Sequence, residues 1–193
     1  MNPQQPQVLN RLIVRQKLTM MQNRYVVHMA GPDGQSDGPV VGFAEQKRLA
    51  LKEQVTIYTD ETRQRVLAGF KARRVIDLSS EYDVLDHNGT PIGMFRKDFG
   101  ASLMRSTWHL EQPGLPPIVG QERSSWVAVL RRFIESLSWL PYHFDFTING
   151  HPGFSVDKQW GLRDHYVVDI PDPNLDRRLV IAMAVALDAL QSR

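Results

Sequence analysis

Short runs rich in β-formers, one of which (106–111) alternates apolar and polar residues with a period of two, lie between turn-formers over most of this chain. They fall at 12–20, 24–30, 40–46, 55–59, 65–72, 81–85, 92–97, 106–111, around Ile118, and at 142–148, 154–158 and 164–170. The links between them are mostly short: a polar DETRQ at 60–64, an Asp86-His87-Asn88-Gly89-Thr90-Pro91 turn, and a Pro/Gly-rich 112–117. One link, GPDGQSDGP at 31–39, is longer than a tight hairpin needs and reads as a mobile loop. About a dozen strands joined in this way predict a mainly β protein, an antiparallel meander closed into a barrel.

Two segments read as helix instead. In 125–140, Trp126, Leu130, Phe133, Leu137 and Leu140 recur at helical spacing, Arg131, Arg132 and Glu135 fall largely on the other face, and Pro141 ends the run. The last segment, 172–191, has no polar stripe, and between Leu179 and Leu187 it is apolar all round. Such a helix lies in a bilayer or inside a core. A bilayer span needs about 20 mostly apolar residues. Here Asp188 interrupts the run, and Asp176, Arg177 and Arg178 precede it. The pattern therefore predicts a core helix inside the barrel, with Leu179, Ile181, Met183, Val185 and Leu187 buried and no transmembrane span. Asp172 as N-cap, Pro173 at the first helical position and Asp176 in the first turn set its expected start. From there to Gln191 the helix is about 28 Å long. Asp188, if buried, needs a partner. The expected ones are barrel-wall backbone or a basic side chain, unless the helix emerges there into water.

The hairpins repeat. NGTPIGMFRKDFG (88–100) and NGHPGFSVDKQWG (149–161) align without a gap, sharing Asn-Gly-x-Pro, Lys97/Lys158, Phe99/Trp160 and Gly100/Gly161. Each follows an aromatic-Asp pair, Tyr82-Asp83 or Phe144-Asp145, and 38–43 (GPVVGF) is a fainter third copy. Repetition of one strand–turn–strand unit suits a barrel of similar hairpins.

Composition narrows the chemistry. With 193 residues and 42% hydrophobic content, one domain is expected over 9–193, after a polar, disordered tail at 1–8. A net charge of +2, from 23 basic and 21 acidic residues, is far from that of a nucleic-acid-binding protein. The absence of cysteine removes disulfides, thiolate metal sites and a cysteine nucleophile. The start of the chain, MNPQQPQ, has no apolar run suited to a signal peptide, so a cytoplasmic location is expected.

No hydrolase, zinc-protease, P-loop or dinucleotide motif is present, and His28, His87, His109, His143, His151 and His165 are scattered, so neither catalysis nor a cofactor is expected. The candidates for binding an anion or lipid are Arg131 and Arg132 on the amphipathic segment, where Trp126, Phe133 and Trp139 suit an interface, and the basic-aromatic cluster Lys158, Trp160 and Arg163. The competing role of the segment's apolar face is packing on the barrel.

Three stretches, LIVRQK (12–17), YDVLDHNGTPIG (82–93) and WGLRDHYVVDI (160–170) running into LDRRLVIAMAVALDAL (175–190), make the chain resemble the tubby C-terminal-like superfamily in its phospholipid scramblase-like and LURP-one-related branch. The resemblance covers about 9–190 and implies a 12-stranded antiparallel barrel around a central hydrophobic C-terminal helix. It implies phospholipid-headgroup or membrane-surface binding, because tubby-type members bind phosphoinositides and scramblase-type members are linked to lipid and calcium. Peripheral membrane association follows from the same analogy. The acidic residues in the place of the scramblase calcium segment are Asp164, Asp169, Asp172 and Asp176, which lack the regular ligand spacing of a calcium loop, so no metal is expected. The alternatives are a protein-interaction module recruiting a partner by an exposed sheet edge or amphipathic helix and, more remotely, an enzyme with a site assembled from distant residues.

Overall fold

The structure, a computed structural model, describes residues 9–18, 22–47, 54–73, 81–98, 106–123, 143–159 and 165–191. Twelve strands occupy these segments: β1 (Arg11–Leu18), β2 (Gln22–Ala30), β3 (Asp37–Lys47), β4 (Gln54–Tyr58), β5 (Val66–Ala72), β6 (Glu81–Asp86), β7 (Pro91–Asp98), β8 (Thr107–Glu111), β9 (Ile118–Glu122), β10 (His143–Ile148), β11 (His151–Gln159) and β12 (His165–Asp169). Each pairs antiparallel with its sequence neighbours, and β1 closes the sheet onto β12. Every described strand is thus hydrogen-bonded on both sides, and the barrel presents no free edge for strand addition.

Helix α1 (Arg177–Gln191) fills the barrel. Leu179, Ile181, Met183, Val185 and Leu187 are fully buried, and so are Val180, Ala182 and Ala186 between them. An all-round apolar helix has no face to give to water, and a closed sheet whose inward positions are Leu12, Val14, Tyr25, Phe70, Phe95, Phe144 and Val168 surrounds it. Two inward glycines make room. A Cβ on Gly93 would come within 2.9 Å of the Leu179 side chain, and one on Gly120 would meet the Phe146 ring at 2.1 Å.

The helix begins later than its sequence suggests. Asp172 accepts from the Asn174 backbone N–H at 2.8 Å and folds 172–174 into a turn, so Pro173 is not the first helical residue. Asp176 is the N-cap: its carboxylate accepts from the Arg178 N–H at 2.9 Å and its carbonyl from Val180 at 3.1 Å. Fifteen residues make α1 about 22 Å long. Arg177, fully buried, pins this start by donating to the carbonyls of Leu9, Asp172 and Leu175, each at 2.8 Å.

The 31–39 link is shorter and more closely tied than its composition implies. β3 already begins at Asp37, and register shifts around His28 absorb Gly38 and Pro39 within the strand pair. Asp33 holds the remaining turn, accepting from the backbone N–H groups of Gln35 and Ser36 and from the Ser36 hydroxyl. The third copy of the hairpin unit, 38–43, therefore lies inside a strand rather than at a turn. The amphipathic segment 125–140 lies outside the described residues.

Candidate functional site

An antiparallel meander places its connections alternately at two ends. α1 starts at the end holding the links after β2, β4, β6, β8 and β10, and finishes at the other. Near the finishing end the inward face of the barrel turns polar. Gln16 continues the inward series Leu12, Val14; Lys97 follows Phe95; Glu122 follows Ile118 and Gly120; Lys158 follows Phe154 and Val156. Gln16, Glu122 and Lys158 are buried there.

Asp188 sits in this layer. Its carboxylate accepts from the Tyr25 hydroxyl at 2.8 Å, the Gln16 amide at 2.5 Å and the Tyr166 hydroxyl. These donors are two phenols and an amide. Burial, and then the neighbouring Asp188 charge, push the Tyr25 phenol pKa up, so Tyr25 remains a donor throughout the usable pH range. The layer closes one end of the helix as Arg177 closes the other.

The sequence echo becomes a geometric one. Lys97 and Lys158, equivalent in the aligned segments, each hold Nζ 5.8 Å from an aromatic ring on the next strand, Trp108 and Tyr166 respectively. Lys158 is therefore an inward, buried cation rather than part of an outer basic-aromatic cluster. Its proposed companions Trp160 and Arg163, and the pair Arg131 and Arg132, lie outside the described residues.

On the outer face the two repeats match again. Arg73, just past β5, donates its backbone N–H to Glu81 and ion-pairs with Asp83 at 2.7 Å. Arg123, just past β9, donates to His143 and ion-pairs with Asp145 at 2.5 Å and Asp157 at 3.2 Å. The hydrogen bond from Arg123 holds the Asp145 carboxyl below its ordinary pKa. Ser155, His143 and Asp157 lie together, but both Ser155 (3.5 Å) and His143 (2.8 Å) engage Asp157 rather than each other, so no hydroxyl is set against a histidine base.

The acidic residues considered for calcium do not converge. Asp169 is bound by Arg11, Asp172 by Asn174, and Asp176 by Arg178 at 2.6 Å; Asp164 lies outside the described residues. Among the described residues no three His, Asp or Glu side chains form a group that could hold a metal ion. Nor is any helix among them long and apolar enough to cross a membrane.

A family model described as LURP-one-related matches residues 40–188, from the middle of β3 to the last turns of α1. The chain belongs to the LURP-one-related family. That family is part of the tubby-like and scramblase-like superfamily, and the 12-stranded barrel around its helix is the architecture expected of it. No curated protein and no solved structure matches the chain. The sequence candidates of this LURP-one-related protein missed Gln16, Tyr25, Tyr166, Lys97 and Glu122. Their signal was available: a polar residue continuing an inward apolar series marks where a barrel interior meets its mouth.

Proposed function

We propose that this LURP-one-related protein is a non-enzymatic binding protein that meets an anionic phospholipid headgroup or membrane surface with the barrel end at which α1 finishes. Its location would then be cytoplasmic and peripheral at the membrane. The observation that supports this is a segregation of charge between the two sets of connections. In sequence, those following β1, β3, β5, β7, β9 and β11 carry Arg48, Lys52, Arg73, Arg74, Arg105, Arg123, Arg131, Arg132 and Arg163 against Glu53, Asp77, Glu135 and Asp164. Those at the opposite end carry Asp33, Asp60, Glu61, Asp172 and Asp176 against Arg63 and Arg65. A barrel so polarised orients in the field of an anionic surface, where each basic residue near the interface contributes about 1 kcal/mol. Because α1 fills the interior, contact is assigned to the exterior and the mouth.

Sedimentation with phosphatidylglycerol or phosphoinositide vesicles at low salt tests this. Binding should weaken as salt rises and fall in an Arg131→Glu/Arg132→Glu variant of unchanged circular dichroism. Protein that stays in the supernatant at low ionic strength would end the proposal. Recruitment of a protein partner by a free sheet edge has no support in a barrel whose described strands are all paired on both sides.

A further inference from the structure

The outer face of the barrel contains a groove of about 540 Å³ between the β8–β9 connection (112–117) and strands β6 and β7. Its 112–117 wall belongs to the acidic set of connections, and from there it runs along the outer face to Arg73. Met94, Leu115, Pro91, Pro113 and Pro117 supply apolar surface, while Asp83 and Glu111 supply carboxylates. The groove is rich in acceptors and poor in donors. Prolines offer carbonyls but no N–H. The Gln112 amide is already committed to the Asn174 carbonyl and the Asp176 N–H. The guanidinium of Arg73 is held by Glu81 and Asp83. Both bonds from Arg73 to Asp83 fall on Oδ1, and among the described residues the carboxylate of Glu111, which is exposed, makes no hydrogen bond or ion pair.

The internal repeat identifies the chemistry that is missing. In the first unit the cross-strand row is Asp83, Met94, Glu111 on β6, β7 and β8. In the second it is Asp145, Ser155, Asp169 on β10, β11 and β12. Asp145 and Asp83 hold the same role, each paired with the arginine that follows the preceding strand. Asp169 is matched by Arg11, its register partner on β1, through two guanidinium nitrogens. Extending the β8–β9 register by one residue puts Pro117 beside Glu111 in that place. Thus one repeat completes its row with an arginine from the adjoining strand, and the other has a proline there and a carboxylate without a cation.

We propose that this groove receives an arginine side chain of a partner protein, its stem on Met94 and Leu115 and its guanidinium against Glu111. An arginine fits better than a lysine because five donors in a planar fork answer a wall of acceptors. A protein segment is the occupant the geometry favours, because the completed row within this chain is itself filled by an arginine held on a neighbouring strand. This inference is separate from membrane binding, which involves the barrel end at which α1 finishes.

The experiment is methyl-detected NMR of the full chain, titrated with acetyl-Gly-Arg-Gly-amide, its neutral citrulline counterpart and free arginine. The arginine peptide should shift the Met94 and Leu115 methyl signals in a saturable way. The citrulline peptide, and the arginine peptide added to Glu111→Gln, should each bind about tenfold more weakly. A Pro117→Arg variant, which supplies the guanidinium from within, should bind no peptide. No saturable shift at ~10 mM peptide, citrulline binding as well as arginine, or an indifferent Glu111→Gln would overturn the proposal. Free arginine binding as tightly as the peptide would overturn the protein segment as occupant. Glu111→Gln should sediment with vesicles like the parent protein, so the two readings fail independently.

Discussion

Asp188 is the residue on which the seating of the core helix turns. A carboxylate in an apolar helix is tolerated when donors surround it, and here two phenols and an amide from β1, β2 and β12 converge on it. Removing it takes away the charged acceptor that those donors share. Asp188→Ala should therefore cost about 3 kcal/mol, and Tyr166→Phe less, since two donors remain. For a chain of this size the thermal midpoint should drop by roughly 6–12 °C, measured by circular dichroism. An unchanged midpoint would mean that the freed donors find other acceptors at no net cost, against this account. Arg177 makes the corresponding argument at the other end with carbonyls as acceptors, so a charged side chain helps to fix each end of the helix.

At the scale of elements, the barrel accommodates its helix and its bulky rings by local use of glycine. On β9, Gly120 lies beneath Phe146, which stacks on Phe154 with centroids 4.0 Å apart. Any Cβ on Gly120 must displace that stack. Gly120→Ala should destabilise by about 2 kcal/mol, and Phe146→Leu should partly relieve it, so that the double variant is more stable than the sum of the singles predicts. Urea midpoints of the four proteins measure the coupling, and strict additivity would refute the steric account. Hairpin turns show a different economy, since one dipeptide serves two geometries. Asn149 and Gly150 both adopt positive φ, 50° and 80°, in a two-residue turn closed by the Ile148–His151 pair. In the β6–β7 turn only Gly89 does, and Asp86 accepts from the N–H groups of Asn88 and Thr90 to form a longer loop.

The whole molecule is a closed ring of strands, stapled on its outer face by ion pairs and carboxylate-capped turns, and that gives it a defined response to acid. Asp33 is held down to about 2 by the Ser36 backbone N–H, the Ser36 hydroxyl and the Gln35 N–H. The hydroxyl and N–H of Thr62 lower Asp60, and Arg123 lowers Asp145. A carboxyl whose folded pKa lies below its unfolded value contributes stability that is complete above the unfolded pKa, about 3.9 for Asp, and is lost as pH falls through the folded value. The urea midpoint should be flat down to about pH 4 and then decline, with a shallower decline in Asp145→Asn. A midpoint that rises on acidification would contradict this assignment. The unequal charge carried in sequence by the two sets of connections belongs to this scale too, and so do the two binding proposals.

Strand positions, the closed meander and the buried terminal helix were legible in the sequence, because each follows from a local rule: short runs of β-formers, turn-formers between the runs, and an apolar stretch with no wet face. The echo between 88–100 and 149–161 was legible for the same reason. The helix start was not. Asp172 and Asp176 are both good caps, and only the folded chain, with Arg177 bound to Leu9 across the barrel seam, selects the second. Nor could the sequence show that Lys158 points inward over Tyr166, that Asp188 meets Gln16 from the far end of the chain, or that Pro117 stands where its counterpart row has Arg11. Those facts depend on which strand closes on which, and register between residues more than a hundred positions apart is set by the ring as a whole.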